Sequence, residues 1–442
     1  MPSMVIEFNL KNLASKLTLL AVALIVCALL VGQIVSRFII GTLADDRFAF
    51  ERSALQDPVK DYPNSPRLNA RLAEAELLES DRDLEMAERC AVRAVNLSPF
   101  DYRFRMTLAA VKEAEGNRAG AEQSLREALA LAPNNRDVHW RLANLLLRSG
   151  KLAASVDEFR ITISTNKNLL PATLDLIWRA SRGNVGAVEA ITGSDAKARL
   201  LLSQFLIKQS KVAEAANIFR SIDRGTRLAA LESASVLNAL VATDNLALAR
   251  ELWVGLIADG GAPTAPVWNG GFESDILKNF SQFDWTFGRS EFARLSIDSS
   301  RQHSGNRSLK IEFLGRDTTE LKDEIKQLVI LRPGARYRVE CYAKSEGLAS
   351  SEGPRLAVTD KSSNVIAQSE PVAAGSNDWK MLSVEFVAPK VTGDAPAVYV
   401  SVKRKPKYDY DEPTRGTVWF DDFMMKEQQA EGGKQKAEGS GQ

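Results

Sequence analysis

The sequence predicts a multidomain chain: an N-terminal transmembrane helix, an α-helical repeat array, and then an antiparallel β-sandwich. Three observations carry this reading. Residues 17–36 form one uncharged apolar run, small and apolar positions recur every 34 residues between about 60 and 260, and beyond Pro263 apolar residues alternate with period two. A chain of 442 residues has room for two or three such domains.

The first element is "LTLLAVALIVCALLVGQIVS", bracketed by Lys16 and Arg37. Twenty residues rising about 1.5 Å each cover about 30 Å, the thickness of a bilayer's hydrocarbon. A cleaved signal peptide is the rival, with "TLA" at 42–44 as its site. Its apolar core would run to only about 7–15 residues, whereas here the stretch is longer and resumes as "FII" after Arg37. A lipoprotein site at Cys27 fails because Val26 is not small and the cysteine lies mid-span. Lys11 and Lys16 precede the run, while Arg37 is soon followed by Asp45 and Asp46. The positive-inside bias then leaves the short amino end in the cytoplasm and the bulk outside it, in a bacterium the periplasm. The expected layout is a cytoplasmic end (1–16), a single inner-membrane span (17–40) and a juxtamembrane linker (41–65).

The second element is phased by Pro99 and Pro133, which end "AVNLSP" and "ALALAP" 34 residues apart. Ala87, Ala121 and Ser155 share a phase, as do Ala94, Ala128 and Thr162, with Gly116 and Gly150 at the turns between paired helices. Small residues recur where helices approach closely and large ones where they fill grooves. After a slipped, shortened pair at 171–191 the period returns: Ala215 with Ala249, Phe219 with Trp253, Leu206 with Leu240. Repeats are expected near 68, 102, 136, 170, 196 and 230, within a domain at 66–260. This pattern resembles a tetratricopeptide repeat, a family whose arrays bind protein or peptide on a concave face or hold domains apart. The first helices would supply that face, with Arg71, Arg105, Trp140, Arg141 and Asn144 as candidate partner contacts. The tryptophans Trp140, Trp178 and Trp253 also read as packing.

The third element, 261–428, contains "ARLSID" (293–298), "SLKIEF" (308–313), "YRVECYAK" (337–344), "LSVEF" (382–386), "VYVSVK" (398–403) and "TVWFDDF" (417–423). "SGNRS" and "RPGARY" are turns between strands. About nine or ten strands without helical periodicity argue for a sandwich, and Gly270 and Gly271 are expected in its lead-in strand. The order "NGGFE", "FDW", "HSGNRSLKIEF", "QLVILRPGARYRVECYAKS", "DWKMLSVEFVAP", "GTVWFDDFMM" resembles jelly-roll carbohydrate-binding modules with a galactose-binding-like fold, over about 266–427. In that family the glutamate of the opening motif and an aspartate of the last strand commonly hold a structural Ca²⁺. The resemblance implies Glu273 and Asp421 here, with Asp422 as the alternate; hard carboxylate oxygens suit that ion. Such modules also stack sugar rings on exposed aromatic faces. Trp285, Phe287, Trp379, Tyr399, Tyr408 and Tyr410 are the candidates, Trp285, Tyr408 and Tyr410 leading, with Asp409 and Asp411 as neighbouring hydroxyl acceptors. Trp379 and Trp419 look like core. The tail 429–442 is of low complexity and reads as disordered.

Composition excludes several classes. Lysine plus arginine (57) balances aspartate plus glutamate (56), without the basic face of a nucleic-acid binder. His139 and His303 lie far apart, and Cys27, Cys90 and Cys341 form no CxxC pair. A glycoside hydrolase would need two carboxylates flanking a sugar cleft about 5–10 Å apart, and nothing singles out a pair. The combination also resembles a recurring bacterial envelope protein associated with exopolysaccharide synthesis and export. The expectation is a non-enzymatic periplasmic scaffold taking a protein partner on its repeats and polysaccharide on its β-domain. The alternative is an assembly factor whose jelly roll is structural.

Overall fold

The computed structural model describes residues 13–45, 50–258, 265–316, 320–391, 393–408 and 410–428. The chain divides into two compact units, Met1–Ile191 and Thr192–Gln442. The change from helices to strands falls elsewhere, after Ile257. Lys11, Asp46, Pro263, Asp409 and the 429–442 tail, used in the sequence reading, lie outside the described residues.

The first unit begins with helix α1 (Leu13–Leu43), in which Lys16–Leu43 is long and apolar enough to cross a membrane. Helix α2 (Arg52–Asp61) follows inside the segment expected to be a linker. Its Leu55 packs with Leu72, Ala87 and Cys90, and Arg52 pairs with Glu76 and Asp81. Four hairpins come next: α3 (Pro66–Leu78) with α4 (Leu84–Leu97), α5 (Tyr102–Ala114) with α6 (Arg118–Leu131), α7 (Arg136–Arg148) with α8 (Leu152–Thr165), and the short pair α9 (Leu170–Ala180) with α10 (Val185–Thr192). Side chains of Ser65, Asp83, Asp101, Asn117 and Asn135 accept backbone hydrogen bonds at the helix starts, satisfying otherwise orphaned amides. Each of the phased small residues Ala87, Ala121, Ser155, Ala94, Ala128 and Thr162 is buried, as helix crossings require. Ser155 adds a hydrogen bond of 2.8 Å from its hydroxyl to the Ala143 carbonyl of the paired helix.

The second unit contains two more hairpins, α11 (Ala196–Lys208) with α12 (Val212–Arg220) and α14 (Leu231–Ala242) with α15 (Leu246–Ile257), separated by the short helix α13 (Arg224–Ala229). Between the paired helices Gly116 and Gly150 take φ of 81° and 74°, and Ser210 and Asp244 hold φ of 60° and 59° at the corresponding turns. The turn therefore demands a left-handed residue, whichever side chain it carries.

The sandwich has ten strands: β1 (Thr286–Phe287), β2 (Ala293–Asp298), β3 (Ser308–Leu314), β4 (Ile325–Ile330), β5 (Arg336–Ala349), β6 (Arg355–Thr359), β7 (Val365–Gln368), β8 (Gly375–Val387), β9 (Ala397–Lys403) and β10 (Arg415–Gln428). They form two five-stranded sheets, ordered β1-β4-β9-β6-β7 and β2-β3-β10-β5-β8, with antiparallel pairing throughout. The core between them includes Ile311, Val339, Val358, Val400 and Phe420.

The stretch "VWNGGFES" is not a strand, which corrects the sequence expectation. Asn269 and Phe272 have φ of 49° and 58°, and the Phe423 amide donates to the Gly270 carbonyl at 3.0 Å. A Cβ at Gly270 would stand 2.0 Å from the Phe423 carbonyl oxygen, so glycine is required by close approach to the last strand.

The sandwich and the last hairpin share the second unit and are joined at several places. The Asp394 carboxylate accepts hydrogen bonds from the amides of Leu246 (2.6 Å) and Ala247 (3.0 Å) at the start of α15. Lys361 pairs with Asp244, and the Trp253 indole donates to the Phe280 carbonyl at 2.7 Å. Trp253 also meets the rings of Trp268 and Phe283 edge-on.

Candidate functional sites

Three places gather the sequence candidates. The first is the corner where the lead-in segment meets β10. A register shift between Asp421 and Met424, with Asp422 at φ 50°, breaks the ladder there and turns both aspartates toward the loop 303–307. One oxygen of Glu273 accepts from the amides of Asn306 (2.8 Å) and Arg307 (3.0 Å). Asp421 accepts from the amides of His303 (2.8 Å) and Asp422 (2.7 Å). Asp422 takes the Ser304 hydroxyl at 2.7 Å and lies 2.7 Å from Nδ1 of His303. A Cβ at Gly271 would stand 3.5 Å from Oδ1 of Asp422, 3.7 Å from Oδ1 of Asp421 and 3.9 Å from Cγ of Glu273, whose carboxylate turns toward Gly305.

Burial pushes the Asp421 carboxyl up to about 6, against the opposing effect of its amide donors. The donor chemistry suits a hard cation. The carboxylates as arranged are hydrogen-bonded to loop amides, and among the described residues no three His, Cys, Asp or Glu side chains are grouped to hold a metal ion. His303, which its sequence spacing left without a role, stacks on Tyr342 at 3.6 Å and meets Trp379 edge-on. Trp379 is half-buried, a correction to its core reading; Trp419 is buried, with its indole donating to Asp298 at 2.7 Å.

The second place is the loop after β9. Tyr408 and Tyr410 are 49 % and 83 % exposed, and their rings stack in parallel with centroids 5.3 Å apart. Asp411 organises the loop by accepting from the amides of Lys407 (2.5 Å) and Tyr408 (3.2 Å) and from the Ser351 hydroxyl (2.5 Å). All three bonds fall on one oxygen, Oδ2. The buried Arg404 ties the same region to the 350–352 turn through the Glu352 carbonyl at 3.1 Å. Trp285 does not join this face. It is fully buried against Phe272 and Phe423, with its indole donating to the Asn269 carbonyl at 3.1 Å. That corrects its reading as a sugar contact, since a ring with no exposed face cannot stack on a ligand.

The third place is the face of the first helices α3, α5 and α7. Two cavities of about 330 Å³ each lie along it, both touching Met106 and Arg141. Arg71 lines one; Trp140 and Asn144 line the other. Arg105 lines neither: it pairs with Glu127 and reaches the Pro99 carbonyl, fastening one hairpin together. At the equivalent position of the next repeat, His139 bridges Glu158 (2.5 Å) and the Pro133 carbonyl (2.8 Å).

A carbohydrate binding domain model matches residues 265–409, and a tetratricopeptide repeat model matches 113–161. The chain carries both domains. No curated protein matches it. Among solved structures, MamA is 16 % identical, with TM-score 0.29, over 36 % of this chain and 83 % of that one. A thermophilic TPR protein of Thermus thermophilus is 24 % identical, with TM-score 0.25, over 30 % and 70 %. The xylanase 10B modules of Clostridium thermocellum, complexed with xylohexaose, are 18 % identical, with TM-score 0.23, over 33 % and 26 %. Similarities of this size carry no functional argument.

Proposed function

We propose that this protein is a non-enzymatic scaffold of the bacterial envelope, held by α1 in the inner membrane with its bulk in the periplasm. Its repeats take a protein or peptide partner, and its sandwich takes polysaccharide in an exopolysaccharide synthesis or export system. The observation that carries the glycan half is the Tyr408–Tyr410 pair, two exposed parallel rings on a loop fastened from beneath by Asp411 and Arg404. A flat ring offers apolar area to a sugar's C–H face at small conformational cost. The partner half is supported by the cavities along α3, α5 and α7.

Calcium belongs to the same proposal. Glu273, Asp421 and Asp422 would hold it, and its charge would cross-link the lead-in segment to the last strand. Removing calcium with a chelator should lower the melting temperature, and Glu273→Ala should abolish that response; equal melting with and without chelator would sink this part. The function is tested by a glycan-array screen of the solubilised chain and a phosphatase fusion after residue 60. The fusion should be active, and the array should retain at least one acidic or neutral polysaccharide. An active fusion with an empty array would favour the assembly-factor reading.

A further inference from the structure

Arg250 lies on α15, among the aromatic side chains where the last hairpin meets the sandwich. Its guanidinium carbon lies 4.8 Å from the ring centroid of Trp253 and 5.6 Å from that of Phe283. Nη1 is buried without a hydrogen-bond partner, and among the described residues no carboxylate pairs with this side chain. Two aromatic faces stabilise a cation but leave its in-plane N–H donors unspent. Burial lowers its pKa to about 10, so it remains charged at neutral pH.

The same side chain walls an open cavity of about 840 Å³. That volume lies within the range of small-molecule sites. Pro266, Leu331, Tyr337 and Met424 give the cavity apolar sides. Lys426 stands in its lining, and the only acid among the described residues of that lining, Glu427, is already paired with Arg332 at 3.4 Å. The charge left over is positive. A planar guanidinium matches the two oxygens of a carboxylate, and it does so best where water is excluded.

We propose that this cavity binds a carboxylated sugar, a uronate-bearing oligosaccharide, at a site separate from the Tyr408–Tyr410 face. The inference rests on the reading that the C-terminal domain takes glycan. A rigid ring lodges against the apolar sides of this open cavity with less loss of conformational freedom than a peptide, and its carboxylate supplies the charge that Arg250 lacks.

Calorimetric titration of the full solubilised chain tests it, with trigalacturonate, neutral maltotriose and a hexaglutamate peptide as probes. Trigalacturonate should bind at least tenfold more tightly than maltotriose, and the preference should shrink as salt is raised. Arg250→Gln should remove the preference, Arg250→Lys should keep a reduced part of it, and Tyr410→Ala should leave it intact. Melting temperatures of the variants separate lost binding from lost packing, and the salt series on the parent protein needs no variant. Equal affinity for the acidic and neutral probes, no binding of trigalacturonate, tighter binding of hexaglutamate, or a preference surviving Arg250→Gln would overturn the site. A preference lost with Tyr410→Ala and kept with Arg250→Gln would move the uronate to the tyrosine face, leaving the glycan function standing and this cavity without it.

Discussion

Asp284 is a buried carboxylate held between the amides of Leu277 (3.0 Å) and Trp285 (2.7 Å). Burial raises its pKa above the ordinary 3.8, outweighing those donors. A carboxyl whose folded pKa is raised binds its proton more tightly in the folded state. Its contribution is fully present below the ordinary value and is lost as pH rises through the folded one. The Asp284 contribution should therefore fall as pH climbs above about 4, and Asp284→Asn should remove that component of the pH dependence. Asp421, raised to about 6, acts in the same sense, so the difference between parent and variant isolates Asp284. Denaturant unfolding across pH 3.5 to 7 measures it; a variant slope equal to the parent's would contradict the burial argument. Residue type alone reads unevenly at this scale. Tyr408 and Tyr410 are legible because charged and proline neighbours mark an exposed loop. Trp285 is not, because "FDW" looks the same whether its ring faces water or the Phe272–Phe423 cluster. Arg105 and His303 were hidden for another reason: their partners Glu127 and Asp422 lie 22 and 119 positions away.

The helical hairpins were the most legible elements, since each is closed by contacts within one 34-residue period. The expected repeat starts agree with helices beginning at Pro66, Tyr102, Arg136, Leu170, Ala196 and Leu231. Ala121 sits at one such crossing, in the cluster with Ala109, Leu125 and Leu142. Ala121→Trp should overpack it and cost about 1–3 kcal/mol, read as a lower denaturation midpoint for the full chain. An unchanged midpoint would contradict the register. Long alternating strands were equally visible: β2 spans the residues of "ARLSID". The two-residue β1 and four-residue β7 were missed, being too short to display a period. The "VWNGG" lead-in was misread because apolar residues before glycines fit a strand as well as a turn. What decides is the approach of Gly270 to Phe423, a contact from the far end of the domain.

At the scale of the molecule, the join between the last hairpin and the sandwich had no signature in sequence. Asp394 serves as the N-terminal cap of α15 from 148 residues away, where no local capping pattern could reveal it. Replacing a cap by alanine costs about 0.5–2 kcal/mol. Asp394→Ala should destabilise the α11–α15 hairpins and the sandwich together if residues 192–442 unfold as one unit. Hydrogen exchange that speeds up in α15 alone would contradict that coupling. The function proposed for this molecule is glycan binding by the sandwich through an exposed aromatic face, with the repeats left free for a partner. Its most direct test is calorimetric titration of the solubilised chain and its Tyr408→Ala/Tyr410→Ala variant against the host's own extracellular polysaccharide. The parent should give heat, the double variant should bind at least tenfold more weakly, and both should melt at the same temperature. No heat with the parent, or undiminished binding by the variant, would contradict it.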